Sequence, residues 1–156
     1  MIVEMEILTR LVLAAVIGSA LGLERKMHNK PGGTRTHALV CLGSTLFTIV
    51  SMDFSSSVLT PGASVSSDPS RIAACIVTGI GFLGAGTIFK TKSRVLGLTT
   101  AAELWAVAAI GIAVGAGMYF VSIAAAIIVF MILVQGKMVE SEITKKKHKH
   151  KWGSWM

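Results

Sequence analysis

Charge is what this sequence has least of. Charged residues make up 15% of its 156 residues and hydrophobic ones 53%, where a soluble domain carries about 25% charged residues. The charges are also clumped: none occurs from Ile72 to Phe89, or from Leu104 to Gly136. Uncharged, mostly apolar runs of about 18 residues or more mark membrane-spanning helices, and a soluble chain of this length has no core able to bury several of them. Cysteine is scarce too. Cys41 and Cys75 sit inside apolar runs, which excludes a disulfide framework or a CxxC metal site. Catalytic signatures are missing: there is no HExxH, GxSxG or Walker motif and no catalytic pair of carboxylates. The four histidines, His28, His37, His148 and His150, form no cluster with acids or cysteines, so neither metal nor cofactor is expected. The N-terminus opens with Glu4 and Glu6 and has no signal-peptide pattern, so the first apolar segment is expected to stay in the mature protein.

What is present is a series of apolar runs separated by polar loops. The first run, Ile7 to Leu23, carries Arg10, placed to snorkel to headgroups, and a smooth face of Ala14, Gly18 and Gly22. A loop from Glu24 to Arg35, broken by Pro31-Gly32-Gly33, leads to a run from Thr36 to Met52. A loop rich in serine and glycine ends at Asp68-Pro69, which reads as a helix start for a third run, Ser70 to Phe89. Lys90, Lys92 and Arg94 form a basic loop. The long uncharged stretch divides at Gly115-Ala116-Gly117 into a short fourth span ending at Val114 and a fifth from Met118 to Met138.

Of the 15 basic residues, 13 fall in the loops after spans 1 and 3 and near the C-terminus, the exceptions being Arg10 and Arg71. The positive-inside rule then gives an all-α bundle of about five transmembrane helices, N-terminus outside and C-terminus cytoplasmic. The expected division is a membrane domain over residues 1–139 and a disordered basic tail over 140–156. A net charge of +7 arranged this way points away from nucleic acid; the tail attracts anionic lipid at about 1 kcal/mol per charge.

Gly79-Ile80-Gly81-Phe82-Leu83-Gly84 matches the dinucleotide fingerprint GxGxxG, but it sits inside an apolar run with no strand before it. Gly79, Gly81, Gly84 and Gly86 are read instead as helix-packing glycines or the wall of a cavity. Gly18–Gly22 and Gly111–Gly115 are GxxxG pairs that suit packing within the bundle or in a homodimer. Thr100 and Glu103 fit a capping box, or Glu103 is an intramembrane acid. Asp68 and Arg71 are spaced to pair across one helical turn, as a cap beside an interface arginine or as an outer polar cluster. Glu24, Arg25, Lys30 and Arg35 surround the Pro-Gly-Gly turn. The polar ligand candidates are thus Asp68, Arg71, Glu24, Arg35, Thr100 and Glu103.

Several blocks together resemble the MgtC/SapB family of bacterial inner-membrane proteins. They are Leu21-Gly22-Leu23-Glu24-Arg25, Lys30-Pro31-Gly32, Arg35-Thr36-His37, Leu42 to Thr48, Asp68 to Ala74, Gly79 to Ile88, Gly97 to Ala102, Leu104-Trp105 and Ala108 to Gly111. The resemblance implies a multi-pass inner-membrane domain, association with growth at low magnesium and with survival in phagocytes, and a regulatory rather than transporting role. Longer members carry a soluble C-terminal domain where this chain has its basic tail. Lys92-Ser93 stands where many members have an acid followed by glycine, Glu103 where a small or hydroxyl residue is usual, and Cys75 where an amide is frequent. Two functions follow as expectations: non-catalytic regulation through helix contact with a membrane partner, and transport of a cation or small solute through a polar cavity at the third helix.

Overall fold

The computed structural model describes residues 2–57, 68 and 70–152. Met1, the loop over residues 58–67, Pro69 and residues 153–156, which include Trp155, lie outside the described residues. Five helices follow one another among those described: α1 (Ile2–Met27), α2 (Thr34–Ser57), α3 (Ser70–Gly86), α4 (Leu98–Gly115) and α5 (Tyr119–Trp152). The segments Val3–Met27, Thr34–Phe54 and Leu98–Gly115 are long and apolar enough to cross a membrane; α3 and Tyr119–Gln135 are shorter apolar helices. The chain forms two compact units, Met1–Ala126 and Ile127–Met156.

The elements depart from expectation where local hydrogen bonding overrides the apolar pattern. The third helix stops at Gly86, short of Phe89. Thr87 turns the chain there: its N–H donates to Gly84 O at 3.0 Å and its hydroxyl to the same oxygen at 2.8 Å. An antiparallel hairpin follows, β1 (Phe89–Lys90) with β2 (Val95–Leu96), pairing Phe89 with Leu96 and Lys90 with Val95. No strand was expected here. Gly97 then joins the hairpin to α4 at φ 87°, and a Cβ on it would collide with the Thr87 carbonyl, so glycine alone fits.

α4 therefore begins at Leu98. Its 18 residues rise about 27 Å at 1.5 Å each, and the fourth span is not the short one the charge-free run suggested. The α4–α5 turn falls on Ala116–Met118, with Gly117 at φ 77°. α5 extends to Trp152; its basic segment contains glutamate and lysine, both good helix formers, and no proline. Arg10 does not snorkel. Its Nη1 donates to Gly115 O at 2.7 Å, its Nε to the Tyr119 hydroxyl at 3.2 Å, and its Nη2 pairs with Glu6. The last carbonyls of a helix lack partners and carry its negative dipole end, so the guanidinium caps α4 and ties α1 to the α4–α5 turn.

α1 packs along α2 and α2 along α4, while α3 lies on α4 and hardly touches α2. The α1–α2–α4 interior mixes apolar side chains such as Leu21, Leu104, Val107 and Val114 with small and polar ones. On α2 the buried face is His37, Cys41, Ser44, Thr45, Thr48 and Ser51, whose spacing is that of one helical stripe. Against it lie glycines. A Cβ on Gly18 would sit 2.6 Å from His37 O, on Gly22 2.7 Å from Thr34 Cα, on Gly111 2.5 Å from Cys41 O, and on Gly115 2.6 Å from Thr48 Cβ. The backbones meet closely enough for the Thr45 hydroxyl to donate to Gly111 O at 2.8 Å. Large apolar side chains such as Val12, Val16, Leu39, Phe47 and Phe54 point outward. Lipid offers no hydrophobic reason to bury them, so close backbone packing and hydroxyl bonds hold the helices together.

Overpacking of a tight core costs about 1–3 kcal/mol. Gly18→Ala and Gly111→Ala should each lower unfolding stability in detergent by about that amount. Gly81→Ala should leave it unchanged, because open space surrounds Gly81.

Candidate functional site

Four ionisable side chains are buried in the α1–α2–α4 unit: Glu24 and Arg25 near the end of α1, His37 in the second turn of α2 and Glu103 in α4. Glu103 is the hub. Its Oε2 lies 2.8 Å from Arg25 Nε and its Oε1 3.2 Å from His37 Nε2. Both are ion-pair distances without the alignment of full hydrogen bonds. Arg25 Nη2 also donates to the Thr100 hydroxyl, one turn before Glu103. His37 Nδ1 bonds Gly33 O at 3.2 Å, which hangs the ring from the Pro-Gly-Gly turn. Gly32 lies against Thr100, its Cβ position 3.0 Å from Thr100 Cγ2. Beside Glu24, the half-exposed His28 approaches Oε1 at 3.6 Å and bonds the Glu24 carbonyl at 2.8 Å. The network joins three helices at the end of the bundle where the basic loops emerge.

The capping-box reading of Thr100 and Glu103 gives way to this. Gly97 is the N-cap, without a side-chain cap bond, which places Thr100 and Glu103 inside the helix, facing α1 and α2. Glu24 is buried near them, whereas Arg35, Asp68 and Arg71 are exposed. Asp68 caps α3, accepting from the Ser70 N–H at 2.9 Å. Ser70's hydroxyl and N–H hold its carboxyl below the usual carboxylate range.

The cavity described beside α3 is mostly apolar. About 600 Å³ in volume, it lies between α2 and α3 and has walls of Leu39, Phe47, Ile76, Gly79, Ile80 and Leu83 among other residues, and none of the six polar candidates lines it. α3 meets α4 through Ile80 and Gly84, the latter at Ala101. Among the described residues, Gly79, Gly81 and Gly86 have nothing within 4 Å of a Cβ position. Ala74, Thr78, Gly81 and Ala85, at one-face spacing, are all exposed.

The MgtC family profile matches residues 11–142. This chain belongs to the MgtC family. It is 47% identical over 128 residues to YhiD of Escherichia coli K12, provisionally named a magnesium transporter, covering 82% of this chain and 59% of that protein. To protein MgtC of Brucella abortus it is 46% identical over 121 residues, 78% of this chain and 46% of the relative. An uncharacterised Haemophilus influenzae protein is 37% identical over 146 residues, 93% of this chain and 61% of that protein. The chain thus spans roughly half to three fifths of the length of these relatives. No solved structure matches it. With three helices of spanning length and apolar outer faces, this MgtC-family member is a multi-pass protein of the bacterial inner membrane in contact with its lipid.

Arg25 and His37 were absent from the sequence candidates. Arg25 was placed only beside the Pro-Gly-Gly turn, with Glu24, Lys30 and Arg35. The signal that would have found His37 is the polar stripe it begins on α2. Removing one member of a buried ion pair costs about 3–5 kcal/mol, while an apolar replacement of both is near neutral or better. Arg25→Met should therefore lose about 3–5 kcal/mol of unfolding stability in detergent, and Arg25→Met with Glu103→Leu should recover most of it. Additive losses would show that the two residues are not coupled.

Proposed function

We propose that this MgtC-family protein is a non-catalytic regulator in adaptation to low magnesium, acting through helix contact between α3 and a membrane partner or a second copy. The observation that carries the reading is the open space, among the described residues, around Gly79, Gly81 and Gly86 on a helix seated through Ile76, Ile80 and Gly84. Small residues on an exposed membrane helix let another backbone approach closely. In this reading the chain crosses the membrane five times over residues 1–139, N-terminus outside, with both basic loops and the basic segment over 140–156 on the cytoplasmic side near anionic lipid. The charge asymmetry supports that orientation.

A second reading, cation transport, is favoured by one observation. Glu24, Arg25, His37 and Glu103 are buried within or at the ends of membrane-length helices, and intramembrane ionisable groups commonly mark ion pathways. The name of YhiD points the same way.

Gly81→Leu separates the two. Under the regulatory reading it leaves folding intact and removes low-magnesium growth support, while Glu103→Gln changes no flux. Normal growth of a correctly inserted Gly81→Leu strain would contradict the regulatory reading. Magnesium or proton flux in proteoliposomes, altered by Glu103→Gln, would establish transport instead.

A further inference from the structure

We propose that the groove between α2 and α3 is a binding site for one anionic phospholipid, with an acyl chain in the apolar groove and the phosphate on Arg35 at its loop end. The site rests on neither reading of the function given above.

The directions of three helices set up the groove. Gly84 of α3 lies at Ala101 of α4, and Ile80 packs with Leu104 and Ala108, so α3 runs against α4. α2 runs with α4, since Gly32 lies at Thr100 and Cys41 at Gly111. The end of α3 and the start of α2 therefore share one end of the bundle. Val40 and Ile76 pack on the cluster of Ile80, Leu104 and Ala108 and close the floor between the two helices. Leu39, Gly43 and Phe47 of α2 and Ile72, Gly79 and Leu83 of α3 are among the walls, around about 600 Å³. Ligand sites commonly measure about 300–1,000 Å³. Glycine on both walls keeps the slot open: among the described residues, a Cβ on Gly43 or Gly79 has nothing within 4 Å. Leu39 and Phe47 are exposed at its rim. The hydrocarbon region holds no water, so the medium that fills such a slot is an acyl chain.

Charge selects the lipid. Arg35, Leu39, Gly43 and Phe47 are spaced four apart, so Arg35 stands one turn beyond the wall at the loop end. It is exposed, as is Thr36, one turn before Val40. Both lie in the first turn of α2, where backbone N–H groups and the helix dipole favour an anion. The other wall leads from Leu83 through the Thr87 turn into the hairpin, whose Lys90, Lys92 and Arg94 are exposed. No acidic residue occurs from Arg25 to Met52 or from Pro69 to Ala102. Glu24 and Glu103 are buried in the α1–α2–α4 unit. An apolar slot that ends in basic residues at headgroup level matches both halves of an anionic phospholipid. A partner helix would cover the slot without calling for the charge at its end.

Ile72, Ile76, Gly79 and Leu83 share the groove side of α3, while Ala74, Thr78, Gly81 and Ala85 fall on the opposite side by helical spacing. A lipid in the groove and a partner on α3 can therefore be present together.

The test uses the full chain, delipidated in detergent and titrated with dioleoyl phosphatidylglycerol or with phosphatidylcholine of the same chains, and read by native mass spectrometry. The expected result is one phosphatidylglycerol retained per chain, in preference to phosphatidylcholine. Arg35→Gln should lower that preference about fivefold, one basic residue's share at about 1 kcal/mol. Gly43→Leu should fill the slot and abolish retention of both lipids without lowering the melting temperature, because its Cβ position is open. Equal retention of the two lipids would overturn the proposal, as would adducts that accumulate without saturating at one, or normal phosphatidylglycerol retention by Gly43→Leu. If Gly43→Leu does not fold, the comparison of the two lipids and the exposed Arg35→Gln still decide.

Discussion

Everything in this fold depends on how closely α1, α2 and α4 approach one another. In lipid, apolar side chains gain nothing by leaving the membrane for the protein interior, so helices associate through dispersion contact and hydrogen bonds over short distances. Gly18 and Gly22 on α1, and Gly111 and Gly115 on α4, remove the side chains that would hold α2 away. The inside of the unit consequently holds glycine, serine and threonine beside apolar residues such as Leu21, Leu104, Val107 and Val114, while many valines, leucines and phenylalanines lie outside.

The same closeness explains how charge is tolerated at one end. Helices this near bring Arg25, His37 and Glu103 within ion-pair distance in a space that excludes solvent. Each of the three would be costly alone; together they offset one another and fix the relative rotation of three helices. At the far end Arg10 does a similar task with a helix dipole as well as the Glu6 carboxylate. The unit is pinned at both ends by arginine and closed along its length by glycine. α3 has no such pin: Ile76, Ile80 and Gly84 seat it, and Ala74, Thr78, Gly81 and Ala85 are exposed.

Much of this was legible in the sequence. Charge-free runs and glycine pairs marked the membrane helices, and Gly115-Ala116-Gly117 marked the turn between α4 and α5. Other features depended on partners distant in sequence. Arg25 reads as a loop residue until α4 supplies Glu103 opposite it, and Arg10 as a headgroup anchor until the Gly115 carbonyl comes within reach. The glycines of α3 look the same in sequence as those of α1 and α4; only the splay of α3 from α2 leaves Gly79, Gly81 and Gly86 open. The β1–β2 hairpin was hidden because its strands are two residues each and are set by a Thr87 turn and the backbone of Gly97 rather than by a hydrophobic pattern.

The central claim is that α1, α2 and α4 form a closed unit while α3 is the contact face. Site-specific photo-cross-linking in native membranes tests it most directly, with the photoreactive residue at Phe82 on α3 and, for comparison, at Val16 on α1, both of them exposed. A discrete protein adduct at Phe82, lost when Gly81 is changed to leucine, with only lipid adducts at Val16, is the predicted result. Lipid adducts alone at both positions would contradict it.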